Sequence, residues 1–311
     1  MSDMLSAAFI TVFITTVIAQ AMPLMLASVG ETIGEQAGVL NLGIEGVMLV
    51  GAYAGFVVTL STGNFWIGML AGVVGGVVAN LAMLVLNVWL GLNQIVIGLA
   101  ITLIGEGITS VLYLQNYTKS PASLGQAPKL AIPGLGDIPV VGPAIFQQSG
   151  IFWVALLIAL VLAFALARTN WGLSTRSAGQ KPSSLDAAGG SVMRTRSIAV
   201  LLGGGLAGLG GAYLSLITTA TFSPLLTNGL GFIAIVITML SRGRIIIVMI
   251  TSLIYGLAVA IGPALQVIGF TIPADLIKML PFLIVIVMLI LFARSSVVPP
   301  ALGSAYTRGA R

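Results

Sequence analysis

At 311 residues, 58% hydrophobic and 7% charged, with a mean hydropathy of +1.13, the chain is far too apolar for a soluble domain, where about a quarter of residues are charged. The absence of cysteine and histidine excludes disulfides, thiolate chemistry and His-ligated metals. The formal charge of +5 suits loops facing anionic membrane lipid, and it does not point to nucleic acid.

Apolar runs of roughly 20 residues, the length that crosses a bilayer core as helix, recur from one end of the chain to the other. Only helices and closed barrels satisfy their backbone in lipid, and the ten-residue alternation of a barrel is absent. The pattern predicts an all-α polytopic membrane protein. About nine spans (eight to ten) are expected, at residues 5–27, 44–62, 65–91, 94–115, 150–167, 197–219, 228–240, 245–266 and 276–293. The start, MSDMLSAAF, has no basic n-region and no cleavage site, so its run is expected to be a retained span. Residues 1–311 read as one transmembrane domain with no separate soluble part.

Between the first two spans lies SVGETIGEQAGVLNLGIEG, residues 28–46, with Glu31, Glu35, Asn41 and Glu45. Glu31 and Glu35 share a helical face and repel each other. An ionised carboxylate at mid-bilayer costs about 2.5–3.5 kcal/mol even on the lenient scale, so two together do not face lipid. The Gly-rich part from Gly34 to Gly46 looks like a broken or re-entrant element. A short cytoplasmic turn, a break lining a pathway and a proton or cation site all fit these residues.

Gly68, Gly72 and Gly76 recur at every fourth residue, as do Gly51 and Gly55, and Gly204 and Gly208. Such faces let helices approach closely in lipid, either within one subunit or across a dimer. Asn80 and Asn87 are seven apart on one helical face, followed by Asn93, Gln94 and Glu106. These residues serve as helix glue or as a polar track for a hydroxylated, uncharged solute, with Glu106 the most unusual among them. The 116–149 stretch is rich in Pro and Gly and is expected to be an outer loop, its alternating apolar residues allowing a short structured cap.

The segment from Arg168 to Arg196 carries five of the thirteen basic residues. Lysine and arginine in short loops set orientation. This loop, the 241–244 turn with Arg242 and Arg244, and a 294–311 tail with Arg294, Arg308 and Arg311 are expected to be cytoplasmic. With nine spans the N-terminus then lies outside. Within the loop, Pro182, Ser183 and Ser184 start a short helix with Leu185, Asp186, Ala187 and Ala188, and Gly189-Gly190 end it. Two turns are unstable alone in water, so this helix must lie on the membrane or dock into another protein. Arg176, Lys181, Arg194 and Arg196 around it are suited to lipid phosphates or partner carboxylates. Further on, IAVLLGGGLAGLGGAYLSL, the break TTATFSPLLTNGLG and FIAIVITML repeat the helix–break–helix order of residues 10–60, a hint of two related halves.

The string SAGQKPSSLDAAGGSVMRTRSIAVLLGGGLAGLGGAYLSL resembles the RAxGENPxAADAAGI-type loop and following helix of bacterial ABC permeases for simple sugars and nucleosides. GETIGEQAGVLNLGIEGVMLVGAYAG, NGLGFIAIVITML and ADLIKMLPFLIVIVMLILFARSSVVPPALGSAY agree in the same order, so the resemblance covers nearly the whole chain. The ending PPALGSAY is most similar to the nucleoside branch. The Glu-Asn of GENP is Gln180-Lys181 here, and the usual basic residue after ALG is Ser304.

The resemblance implies a type II ABC importer-like bundle with broken helices and an inverted repeat, in a bacterial cytoplasmic membrane. It makes Pro182 to Gly189 the coupling helix that sits in a groove of an ATP-binding subunit, with Leu185 its apolar and Asp186 its polar contact. It also implies a tandem ATPase binding ATP and Mg, a second related permease completing a heterodimer, and a surface lipoprotein that delivers the solute. The chain itself needs no cofactor, catalyses no reaction of its own, and contains no GxxxxGK[ST] phosphate loop. Nucleosides are the expected solutes, with ribose- or galactose-like sugars as the alternative. An ion-coupled transporter using Glu31, Glu35 or Glu106 is a further reading.

Overall fold

A computed structural model describes residues 6–117, 122–130, 132–267, 273–292 and 298–306. Arg294, Arg308 and Arg311 of the expected cytoplasmic tail, and Lys119 of the 116–149 loop, lie outside the described residues. All the segments expected to be apolar helices hold helices among the described residues. They are α1 (Ala7–Gln36), α2 (Ile44–Thr62), α3 (Phe65–Ala82, continued by a π-helical stretch Met83–Trp89) and α4 (Gln94–Tyr117), then α5 (Gly150–Arg168). After two short helices described below come α8 (Val192–Tyr213, continued by π-helical Leu214–Thr218), α9 (Leu230–Ser241), α10 (Ile245–Val267) and α11 (Ala274–Phe292). Among the described residues seven helices are long and apolar enough to cross a membrane, and Leu230–Ser241 and Met279–Ile290 are shorter apolar helices. No sheet forms among them, only isolated bridges Ser123–Thr221 and Lys129–Ser149, which pin the 122–149 stretch to the α8–α9 break and to the start of α5.

Two expectations are corrected. The glycine-rich break after the first span is narrower than Gly34–Gly46, because α1 runs on through Gln36. Ser28 to Gln36 is enclosed by protein, so Glu31 and Glu35 stay within the helix and away from lipid. The chain turns only at Ala37–Gly43, where Gly38 takes φ +90°. Second, the 168–196 loop holds one more helix than expected, α6 (Asn170–Gln180), before α7 (Pro182–Ala187). Thr169 caps it, its Oγ1 accepting from Gly172 N at 3.2 Å, and Trp171, Thr175 and Ala178 mark its inward face.

The core is built on α1 and α8, which pack on each other; α8 also packs on α2 and α3, and α1 on α10 and α9. Hydrophobic burial does not drive helices together in lipid, so close packing must. The glycine faces provide it within this one chain. A side chain on Gly208 would strike the backbone of Gly72 and Gly76, one on Gly51 the backbone of Gly208, and one on Gly211 the Met48 carbonyl. Pro23 sits inside α1 and cannot donate to the Ala19 carbonyl one turn back. Thr218 Oγ1 takes that role from the α8 side at 3.0 Å, which ties the π-helical end of α8 to the middle of α1.

Candidate functional site

The loop site is the two-helix unit α6–α7. Pro182 occupies the first turn of α7, and Gly189 (φ +84°) ends it, with Gly190 N donating to Leu185 O at 2.9 Å. Ser183, Ser184, Ala187, Ala188 and Gly189 are exposed, while Pro182 and Asp186 are half-buried. Leu185 is turned inward, 7% exposed, and packs with Ala178, Val192 and Tyr306. The apolar residue expected to contact a partner instead fastens α7 to its own subunit. The exposed face of α7 carries only small side chains, two serines and two alanines. Arg196, expected to reach lipid phosphate or partner carboxylate, is likewise buried (5% exposed). Its long side chain turns inward to main-chain carbonyls.

The second site is the buried polar network around the α1–α2 turn. Glu31 Oε1 accepts from Asn41 N at 2.9 Å, and the Asn41 side chain donates to Asn80 Oδ1 at 2.9 Å. Asn80 Nδ2 in turn donates to Val200 O at 2.6 Å. Asn41 Oδ1 also accepts from Gly43 N, closing the turn on itself. One chain of hydrogen bonds thus links α1, the turn, α3 and α8. The Glu35 carboxyl is buried beside it, and its Oε2 has no hydrogen-bond partner among the described residues.

Glu45 has a different role. It opens α2, and its carboxylate accepts from Thr227 Oγ1, from Gly229 N at 2.8 Å and from Gly231 N at 2.6 Å. These are the donors at the N-terminus of α9, where the helix leaves N–H groups unpaired and a partial positive charge favours an anion. Glu45 of α2 therefore caps the N-terminus of α9. Glu106, half-buried on α4, stands close enough to Glu45 for their charges to interact.

The rest of the expected polar track is not assembled. The π-helical stretch Met83–Trp89 shifts the register that would have aligned Asn87 with Asn80. Asn87 Nδ2 closes a local turn on Leu92 O at 2.9 Å, and the exposed Asn93 caps α4 through Ile95 N. Gln94 is buried and accepts from Leu40 N at 3.1 Å, so it belongs to the α1–α2 turn. At the opposite end, Phe56, Tyr113, Tyr117 and Phe222 form an aromatic cluster joining α2, α4 and the α8–α9 break. Sequence spacing pairs Tyr113 with Tyr117 on one face of α4 but gives no sign of Phe222.

The model for the branched-chain amino acid transport system / permease component family matches residues 13–289. TsgC13 of Haloferax volcanii, an ABC transporter permease whose name suggests glucose as its solute, is 37% identical over 241 residues, covering 76% of this chain and 72% of its own. The nucleoside ABC transporter permease protein NupC of Lactococcus lactis is 29% identical over 310 residues, 96% of this chain and 97% of its own. The guanosine ABC transporter permease protein NupQ of Bacillus subtilis is 29% identical over 97% of this chain and 98% of its own. No solved structure is a significant match. With a family model spanning most of the chain and helices of membrane-crossing length throughout, the chain belongs to the family of branched-chain amino acid transport system permease components, as a multi-pass membrane protein.

Proposed function

We propose that this chain is a transmembrane subunit of an ATP-driven importer whose solutes are nucleosides. The observation that carries the solute is the end-to-end match to the nucleoside and guanosine permeases, which leaves almost none of either chain unmatched. The higher identity to TsgC13 favours a second reading, a simple sugar, but that match leaves about a quarter of each chain uncovered. ATP and Mg are bound by a tandem ATPase subunit, a related permease completes the pathway, and a surface lipoprotein delivers the solute. The 168–196 loop, the 241–244 turn and the C-terminal tail face the cytoplasm, with the 122–149 stretch outside.

The ATPase subunit docks on the exposed face of α7. Its serines and alanines admit close backbone approach, and a six-residue helix held by Leu185 keeps its position before the partner arrives. Ala187→Arg places a bulky cation on that face without touching the Leu185 contact. We expect the variant to reach the membrane folded, to lose co-purification of the ATPase subunit and to lose uptake; normal uptake contradicts the docking assignment. For the solute, cells carrying the complete transporter are expected to accumulate labelled guanosine and uridine but not glucose or ribose. The reverse preference establishes the sugar reading.

A further inference from the structure

Arginine is almost never fully buried unless paired, yet Arg196 at the start of α8 is buried, and among the described residues its guanidinium donates to main-chain carbonyls. Nε donates to Ala37 O at 3.1 Å, Nη1 to Ser304 O at 2.7 Å and Nη2 to Ala178 O at 3.4 Å. These carbonyls come from three separate pieces of chain. Ala37 closes α1, Ala178 lies in the last turn of α6 just ahead of α7, and Ser304 lies in the 298–306 segment. Two helix C-termini, each a partial negative charge, therefore converge on one cation, and this compensates its burial without a carboxylate.

The same three pieces are joined by main-chain bonds. Ala301 N donates to Gly179 O at 2.9 Å, and Gly303 N donates to Gly38 O at 3.1 Å. Tyr306 packs on Ala178, Leu185 and Val192, so the 298–306 segment also holds α7. The pieces pack closely at the joint. A side chain on Gly179 would strike the Gln36 carbonyl, one on Gly38 the guanidinium, and one on Gly303 (φ +79°) the Gln94 amide.

We propose that Arg196 is a positioning residue that makes the 168–196 loop and the α1–α2 turn move as one body, with the 298–306 segment as the third leg of the joint. The proposal rests on the reading of α7 as the ATPase-docking helix. A rigid five-donor fork holds direction as well as distance, so a shift of α7 carries α6, the start of α8 and the end of α1 with it. From Ala37 the displacement enters the turn that contains Asn41, where the bonds from Glu31 to Asn80 and Val200 hold α1, α3 and α8.

The test measures ATP hydrolysis and uptake of labelled guanosine and glucose by the complete complex in proteoliposomes. Arg196→Met removes the fork, Arg196→Lys keeps the charge without the three-way geometry, and Ala301→Pro removes the donor to Gly179 while leaving Arg196 in place. Arg194→Met, on an exposed neighbour, is the control. Each variant is expected to assemble with the ATPase subunit and to keep hydrolysis within about twofold of wild type, whereas solute moved per ATP falls about tenfold in Arg196→Met and Ala301→Pro, a size usual for coupling between sites. Arg196→Lys is expected to fall between wild type and Arg196→Met. An unchanged ratio of solute to ATP overturns the proposal. So does loss of assembled complex in all three variants, which makes the contacts structural only. A wild-type complex that takes up neither solute with ATP overturns the docking reading as well.

Discussion

Glu45→Ala is expected to destabilise the chain by about 3 kcal/mol, because it removes the acceptor shared by three donors. The substitution strips Thr227 Oγ1, Gly229 N and Gly231 N of their acceptor. Each buried donor left unpaired costs about 1–3 kcal/mol. Glu45→Gln keeps an acceptor oxygen and the shape but loses the charge at the α9 N-terminus, an interaction worth up to ~2 kcal/mol when partly buried. Thermal unfolding of the detergent-solubilised protein should therefore rank wild type above Glu45→Gln above Glu45→Ala. If Glu45→Ala unfolds with the wild-type midpoint, the carboxylate does not hold the start of α9.

Gly208→Val is expected to prevent folding of the bundle. Its side chain would be driven into the backbone of α3 at Gly72 and Gly76, where no flexible side chain can yield. Overpacking costs about 1–3 kcal/mol when neighbours can shift and more when they cannot. Gly211→Val meets the Met48 carbonyl in the same way, while a side chain on Gly107 of α4 meets nothing. Gly107→Ala should be neutral or stabilising, by up to ~1 kcal/mol through helix propensity. Size-exclusion profiles of the solubilised variants separate these outcomes, and a monodisperse Gly208→Val peak would contradict the packing described for α3 and α8.

Much of this architecture is legible in the sequence, because in a bilayer hydropathy and helix length are coupled by the thickness of the apolar core. Residues 44–62 are read to the residue, and α7 follows from Pro182 and the Gly189-Gly190 stop. What local pattern could not give are long-range pairings. Nothing near Glu45 in sequence marks Thr227, Gly229 and Gly231 as its partners. Leu185 and Arg196 look like contacts for another molecule because apolar and cationic side chains in a polar loop usually face outward; tertiary packing with the 298–306 segment turns both inward. Asn80 and Asn87 part company because the helix between them widens to a π turn, which shifts a seven-residue spacing off one face.

The energy source is the point on which this account stands most directly. The complete complex, reconstituted in vesicles with the loop face accessible to nucleotide, should accumulate labelled guanosine when ATP and Mg are supplied at that face. Ionophores that collapse proton and sodium gradients should leave the rate unchanged. Uptake that proceeds without ATP under an imposed ion gradient, and stops when the gradient is collapsed, would contradict it and return Glu31, Glu35 and Glu106 to the role of ion-coupling sites.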